Sequence, residues 1–142
     1  LNFRTILFAD CYVYHKRRID WNGFATQVYK FGLVRPILNS WHPKSHNIVF
    51  YFPSLFSIGF LFSAFLLLFG MFWPFIFYVL YYIIIFIAAL VKEKSIWIAF
   101  LAIYAVNIQF FGYGYAFVKS TFWIGIARRN PVRTFPFLFF KT

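Results

Sequence analysis

Residues 45–91 contain no Lys, Arg, Asp or Glu, an uncharged run of forty-seven residues in a chain of 142. About 20 apolar helical residues cross the hydrocarbon core of a bilayer, so the run has the length of two crossings. A break stands near its middle, at Gly70-Met71-Phe72-Trp73-Pro74. Glycine ends helices, proline opens them, and tryptophan favours the boundary between lipid and water. The pattern predicts transmembrane helices over 48–69 and 74–91 joined by a tight turn. A soluble domain of this length has too little interior to bury so much uncharged sequence.

Composition and charge point the same way. The chain is 63% hydrophobic, against roughly 45–50% in soluble domains. It holds 14 Lys and Arg against 3 Asp and Glu, a net charge of +11. Such an excess suits nucleic acid, anionic lipid headgroups or anionic substrates such as phosphates. Here the cations flank apolar runs instead of forming a solvated face, which argues against nucleic acid. Cys11 is the single cysteine, so an internal disulfide and a cysteine zinc cluster are both excluded. The first residues are too polar for a signal peptide.

Taken in order, the chain begins with two short apolar pieces, 5–9 and 11–14, separated by Asp10. Tyr12-Val13-Tyr14 is rich in strand formers, and one or two strands are expected. They read as the tail, over 1–19, of an α/β domain lying upstream of Leu1. His15-Lys16-Arg17-Arg18 forms a basic cluster open to two readings. It is a membrane-surface anchor for anionic lipids, or a site for a phosphate or pyrophosphate group. Asp20 then offers an N-cap, and Trp21, Phe24, Val28 and Phe31 recur at helical intervals. This predicts an amphipathic helix ending near residues 32–35, because Pro36 turns Arg35 away from helical conformation. Gln27, Lys30 and Phe31 stand at i, i+3 and i+4 and form one patch on it. Trp, Phe and Lys in this arrangement suit a helix in the membrane interface. Helix and polar turn together occupy 20–47.

Beyond the second span, Lys92-Glu93-Lys94 makes a short basic loop. Arg4, Lys16, Arg17, Arg18, Lys30, Arg35 and Lys44 precede the first span. The positive-inside rule puts both groups on the cytoplasmic side. A third apolar run, 95–118, is interrupted by Asn107, Gln109, Gly112 and Gly114. Polar groups at membrane depth need partners, so this half is expected to face other helices or the interface. Two courses fit it. A full crossing sends Lys119, Arg128, Arg129, Arg133 and Lys141 to the far side, against the rule. A bend at Gly112-Tyr113-Gly114-Tyr115 keeps them on the near side. Residues 120–142 read as a basic tail. The expected fold is an all-α membrane architecture: an interfacial amphipathic helix, then two to three transmembrane helices within 48–119, with a strand-like N-terminal remnant.

Catalytic parts are scarce. Asp10, Asp20 and Glu93 are isolated from one another, so the sequence offers neither a carboxylate pair nor a metal cluster. His15, His42 and His46 lack zinc-ligand spacing. No glycine-rich phosphate loop is present. No catalytic or metal-binding residue is expected in this chain by itself.

One stretch carries a resemblance. It reads Val-Tyr-His-Lys-Arg-Arg over 13–18, then Trp21 and Phe24, then Gln27-Val-Tyr-Lys-Phe-Gly-Leu-Val-Arg35, with His42-Pro43 and Phe52-Pro53 following. This resembles the junction in membrane-bound bacterial family 2 glycosyltransferases, where the cytoplasmic sugar-transfer domain passes into C-terminal membrane helices. Gln27 to Phe31 is similar to a relaxed Gln-x-x-Arg-Trp motif, with Lys30 in place of Arg and Phe31 in place of Trp. Those departures favour single addition over processive synthesis. The Gly112-Tyr-Gly segment in a late span is also similar to this family.

The resemblance implies a fragment of a multi-pass protein of the bacterial inner membrane, its N-terminal part cytoplasmic. It implies a nucleotide-sugar donor, a lipid-linked or envelope polysaccharide acceptor, and a divalent metal (Mg or Mn) held by the upstream domain. Within this chain it implies that Gln27, Lys30, Phe31, Arg35 and His15 lie near the acceptor or the leaving diphosphate. Phe31 stacks on a sugar, Gln27 hydrogen-bonds it, Lys30 offsets charge, and Arg35 and His15 bind phosphate or orient the helix. Lys16, Arg17 and Arg18 line the membrane surface. The competing expectation is a small non-enzymatic polytopic membrane protein acting as a subunit or assembly partner. A transporter piece has weaker support, since the polar residues within the spans are amides and not ionisable groups.

Overall fold

The computed structural model describes residues 20–140, apart from the side chain of Ser45. The strands expected within 1–19 lie outside the described residues. The described chain is helical almost throughout and contains no strand.

Helix α1 spans Trp21–Trp41, and the Asp20 carboxylate caps it by accepting from the Gly23 amide. Its buried residues are Val28, Gly32, Leu33, Pro36 and Ile37, a stripe at helical spacing. The helix runs on through Pro36, where the sequence predicts an end near 32–35. A proline removes one amide from the helical ladder, and its ring crowds the carbonyl four residues back, that of Gly32. Two tertiary contacts offset this. Pro36 is buried in the packed stripe, and the Ser120 hydroxyl donates to the neighbouring Leu33 carbonyl at 2.7 Å.

Two short 3-10 turns, Pro43–Ser45 and Ile48–Tyr51, lead to α2 (Phe52–Leu66), which has Pro53 in its first turn. The expected break is present: Gly70 adopts φ 74°, a left-handed conformation open to glycine. Helix α3 (Trp73–Glu93) follows, with Pro74 at its start. Lys94, at φ 51°, closes it, and the Ser95 hydroxyl caps the next helix through the Ile98 amide. Then come α4 (Ile96–Asn107), a π turn (Ile108–Gly112), α5 (Tyr113–Ser120) and a second π turn (Thr121–Ile126). These form one helix of 31 residues, Ile96–Ile126, about 46 Å long at 1.5 Å per residue.

This answers the question of the third run. The helix does not bend back at Gly112-Tyr113-Gly114-Tyr115, and it continues past residue 118 to Ile126. Lys92 and Lys94 therefore lie at one end of it, and Arg128 and Arg129 at the other. Its glycine at 114 serves close packing: a Cβ there would come within 2.9 Å of both the Pro53 carbonyl and the Ser57 hydroxyl. Three helices, Ile48–Phe69, Trp73–Glu93 and Ile96–Ile126, are long and apolar enough to cross a membrane.

The long helix is the spine. Helix α1 lies beside it and runs in the same direction: Trp21 meets the Tyr104 ring at 4.8 Å, Gly32 faces Tyr113 and Ala116, and Leu33 reaches Ser120. An aromatic cluster joins α2 and α3 to its middle, with Phe56 against Phe110 at 4.3 Å, Phe56 against Tyr81 at 5.2 Å and Phe60 against Phe111 at 5.4 Å. After Arg128 the chain turns into α6 (Pro131–Thr134), capped by Asn130. Phe135 then packs back on Leu33, Ile37 and Ala116. The expected tail is thus partly helix and partly docked against α1.

At Gly32 an added Cβ would lie 2.5 Å from the Tyr113 carbonyl oxygen, whereas at Gly125 the nearest atom is 3.8 Å away. Gly32→Ala and Gly114→Ala are each expected to lower the unfolding free energy in detergent micelles by about 1–3 kcal/mol. Gly125→Ala is expected to leave it unchanged or raise it. Equal behaviour of all three in a thermal melt would contradict the packing described.

Candidate functional site

Helix α1 carries the residues singled out from the sequence, and its packing sorts them onto different faces. At 100° per residue, Gln27 falls opposite the centre of the buried stripe of Val28, Gly32, Leu33, Pro36 and Ile37, whereas Lys30 borders the stripe beside Ile37 and Phe31 lies off its other edge. Phe31 is 58% exposed, while Gln27 and Lys30 are partly buried. The structure keeps these three together as a patch. His15 and the cluster Lys16, Arg17 and Arg18 lie outside the described residues.

Arg35, one turn on from Phe31, borders a cavity with it. Its guanidinium lies over the Phe50 ring, 3.5 Å from the centroid. Phe50 belongs to the 3-10 turn that opens the first span, so the contact ties α1 to the start of that span. Phe31, Val34, Arg35, Leu38, Phe50 and Tyr113 enclose a cavity of about 270 Å³. Tyr113 is buried, and its hydroxyl has no hydrogen-bond partner. Sequence reasoning misses both Phe50 and Tyr113. Each comes from a different helix, and no spacing links either to Arg35.

Two further cations rest on aromatic rings. The Lys119 ammonium donates to the Tyr29 hydroxyl at 3.1 Å and lies 5.9 Å from the rings of both Tyr29 and Tyr115. Arg129 covers Trp123 at 4.0 Å. Rings at this range attract a cation by about 0.5–1 kcal/mol where exposed and more where water is excluded. The Lys119 contact holds α1 to the long helix from its flank. The only sign of it in the sequence is the abundance of tyrosine around residue 115.

Asn107, polar within the third span, has partners. The Tyr82 hydroxyl donates to the Asn107 side-chain oxygen at 2.9 Å, and the Asn107 amide donates to the Ile103 carbonyl at 2.8 Å. The need for partners inferred at Asn107 is met by α3. Among the described residues no group of three His, Cys, Asp or Glu stands close enough to hold a metal. The two described carboxylates have local roles, Asp20 as the cap of α1 and Glu93 beside Lys92 at 4.0 Å. A divalent metal therefore has no fitting set of ligands among these residues.

The Arg35–Phe50 stack is testable as a coupling. A double-mutant cycle of Arg35→Gln and Phe50→Leu, read by thermal unfolding in micelles, is expected to give about 1 kcal/mol of interaction. Additive single effects would mean that the two side chains do not act on each other.

No protein-family model matches this chain, and neither a curated protein nor a solved structure is measurably similar to it.

Proposed function

We propose that this chain is the membrane-embedded, acceptor-side part of a family 2-type glycosyltransferase. The full protein would move a sugar from a nucleotide-sugar donor to a lipid-linked or envelope saccharide acceptor at the bacterial inner membrane. One observation supports the reading above the others. Gln27, Lys30 and Phe31 are neighbours on a helix whose Gly32 and Leu33 are locked onto a membrane-spanning one. An enzyme working at a bilayer surface needs such a fixed, polar and aromatic edge.

In this reading Phe31 offers a flat face to a sugar ring, and Gln27 offers both a donor and an acceptor to its hydroxyls. Lys30 stabilises negative charge that develops on the departing diphosphate, a stronger effect in the transition state than in the bound substrate. Arg35, stacked on Phe50, acts as a positioning residue that fixes α1 against the first span. The donor pocket, the divalent metal and the catalytic base belong to the domain implied upstream.

The test uses membranes carrying the full-length protein and a panel of labelled nucleotide sugars. Lys30→Ala is expected to cut sugar transfer by at least about tenfold, equivalent to roughly 1.4 kcal/mol of lost transition-state stabilisation, with insertion unchanged. Gln27→Ala should act in the same direction. Full transfer by both variants would remove the patch from the site. Absence of transfer by the unmodified protein with every donor would favour a non-enzymatic membrane subunit.

A further inference from the structure

The chain leaves its long helix at Ile126 through a turn that gathers cations: Arg128, Arg129 and Arg133 fall within six residues. We infer that the terminal segment 126–140 is a docking surface for the anionic headgroups of one bilayer leaflet. This surface does not depend on the sugar-transfer reading.

The segment is held in place by packing. Phe135 is buried against Leu33, Ile37 and Ala116, so the chain on either side of it is pinned to α1 and the long helix. Trp41, the last residue of α1, meets Phe139 with ring centroids 6.0 Å apart. Arg129 rests over Trp123, and Asn130 caps α6 by accepting from the amides of Val132 and Arg133. All three arginines are exposed even so. Stacking on an indole leaves the N–H edges of a guanidinium open in its own plane, where phosphate oxygens can meet them.

The described chain supplies nothing to neutralise this charge. Among the described residues the acids are Asp20 and Glu93 alone. Asp20 caps the far end of α1, a helix of 21 residues from Trp41, and Glu93 stands beside Lys92 before the start of the 31-residue long helix. Three clustered cations without an internal acid attract anions from outside the protein.

The neighbours of the arginines identify those anions. Ile126 is 70% exposed and Phe140 60%, and Phe137 and Phe139 are exposed as well. Bare rings and aliphatic side chains among arginines are poorly suited to a site for a soluble anion. They suit the headgroup level of a bilayer, where rings enter the acyl boundary and cations meet phosphates. The segment follows directly on a helix long and apolar enough to cross a membrane, so that level is within its reach.

The experiment reconstitutes the full chain, carrying Cys11→Ser and Phe140→Cys, in phosphatidylcholine vesicles with a minor share of phosphatidylglycerol. A bimane dye at position 140 reports quenching by brominated phosphatidylglycerol or, at equal content, by brominated phosphatidylcholine. The anionic lipid is expected to be preferred by about fivefold, the factor that one basic residue near a charged surface contributes. High salt is expected to remove the preference in this protein without further substitution. Arg128→Gln, Arg129→Gln and Arg133→Gln together should abolish it, whereas Lys92→Gln with Lys94→Gln should leave it intact. Equal quenching by the two lipids overturns the inference, as does a preference that survives high salt or the arginine substitutions. Absence of quenching by either lipid would set the segment off the bilayer and overturn it too. Loss of the preference in the lysine variant would reduce the effect to net charge, with the same consequence.

Discussion

A backbone carbonyl in hydrocarbon finds no water, so it must find its donor within the protein. Much of this fold follows from that constraint. Where the long helix widens into a π turn at Ile108–Gly112, its ladder shifts register, and the carbonyls there are offered to neighbours. Ser57 of α2 takes up that offer, and Ser54 bonds a carbonyl just beyond the turn. The Ser57 hydroxyl donates to the Phe110 carbonyl at 3.0 Å, and the Ser54 hydroxyl donates to the Gly114 carbonyl at 3.3 Å. On the other flank the Ser120 hydroxyl serves the Leu33 carbonyl, beside the gap that Pro36 leaves in α1. The first π turn and the proline in α1 thus each have a hydroxyl from another helix beside them. The same contacts bring the helices close enough to require glycine at 32 and 114.

This explains why the two halves of the chain differ in how well they can be read from sequence. The spans at 48–69 and 74–91 are visible because their signal is a count: many apolar residues, no charges, and a Gly/Pro break between them. Such signals are local and need no knowledge of partners. The course of α1 beyond Pro36 has no local signal, because proline argues against helix and only the packing on Ala116 and Ser120 reverses the argument. Gly112 and Gly114 are ambiguous in the same way. Read alone they fit either a bend or a crossing; in the structure Gly112 faces Val28 of α1, Gly114 packs on Pro53 and Ser57 of α2, and the helix runs straight through. Their role depends on residues sixty positions away, such as Ser54.

The candidate site divides along the same line. Gln27, Lys30 and Phe31 are recognisable as a patch because i, i+3 and i+4 are neighbours on any α-helix. That inference survives whatever packs around the helix. Arg35 is different. It stands one turn beyond Phe31, and only the family resemblance suggests a role for it, in binding phosphate or orienting the helix. The structure swings it onto Phe50, because a guanidinium near a membrane boundary gains more from an aromatic face than from open lipid. The cavity then needs Tyr113 from a third helix to close it. Three-body arrangements of this kind leave no periodic trace.

The result is a helix held under one rigid constraint. An amphipathic helix resting on a bilayer by hydrophobic contact alone slides and tilts readily, since that contact has no direction. Helix α1 is held otherwise. Its Gly32 backbone abuts the Tyr113 carbonyl, its Leu33 carbonyl accepts from Ser120, and its Tyr29 hydroxyl accepts from Lys119. Directional bonds and close backbone contact define one register against the long helix. Whatever meets Gln27, Lys30 and Phe31 therefore meets a surface whose position relative to the membrane is already set. In the proposed reading, such an edge fixes where a membrane-borne molecule stands and does not close over it, so α1 positions and is no moving lid.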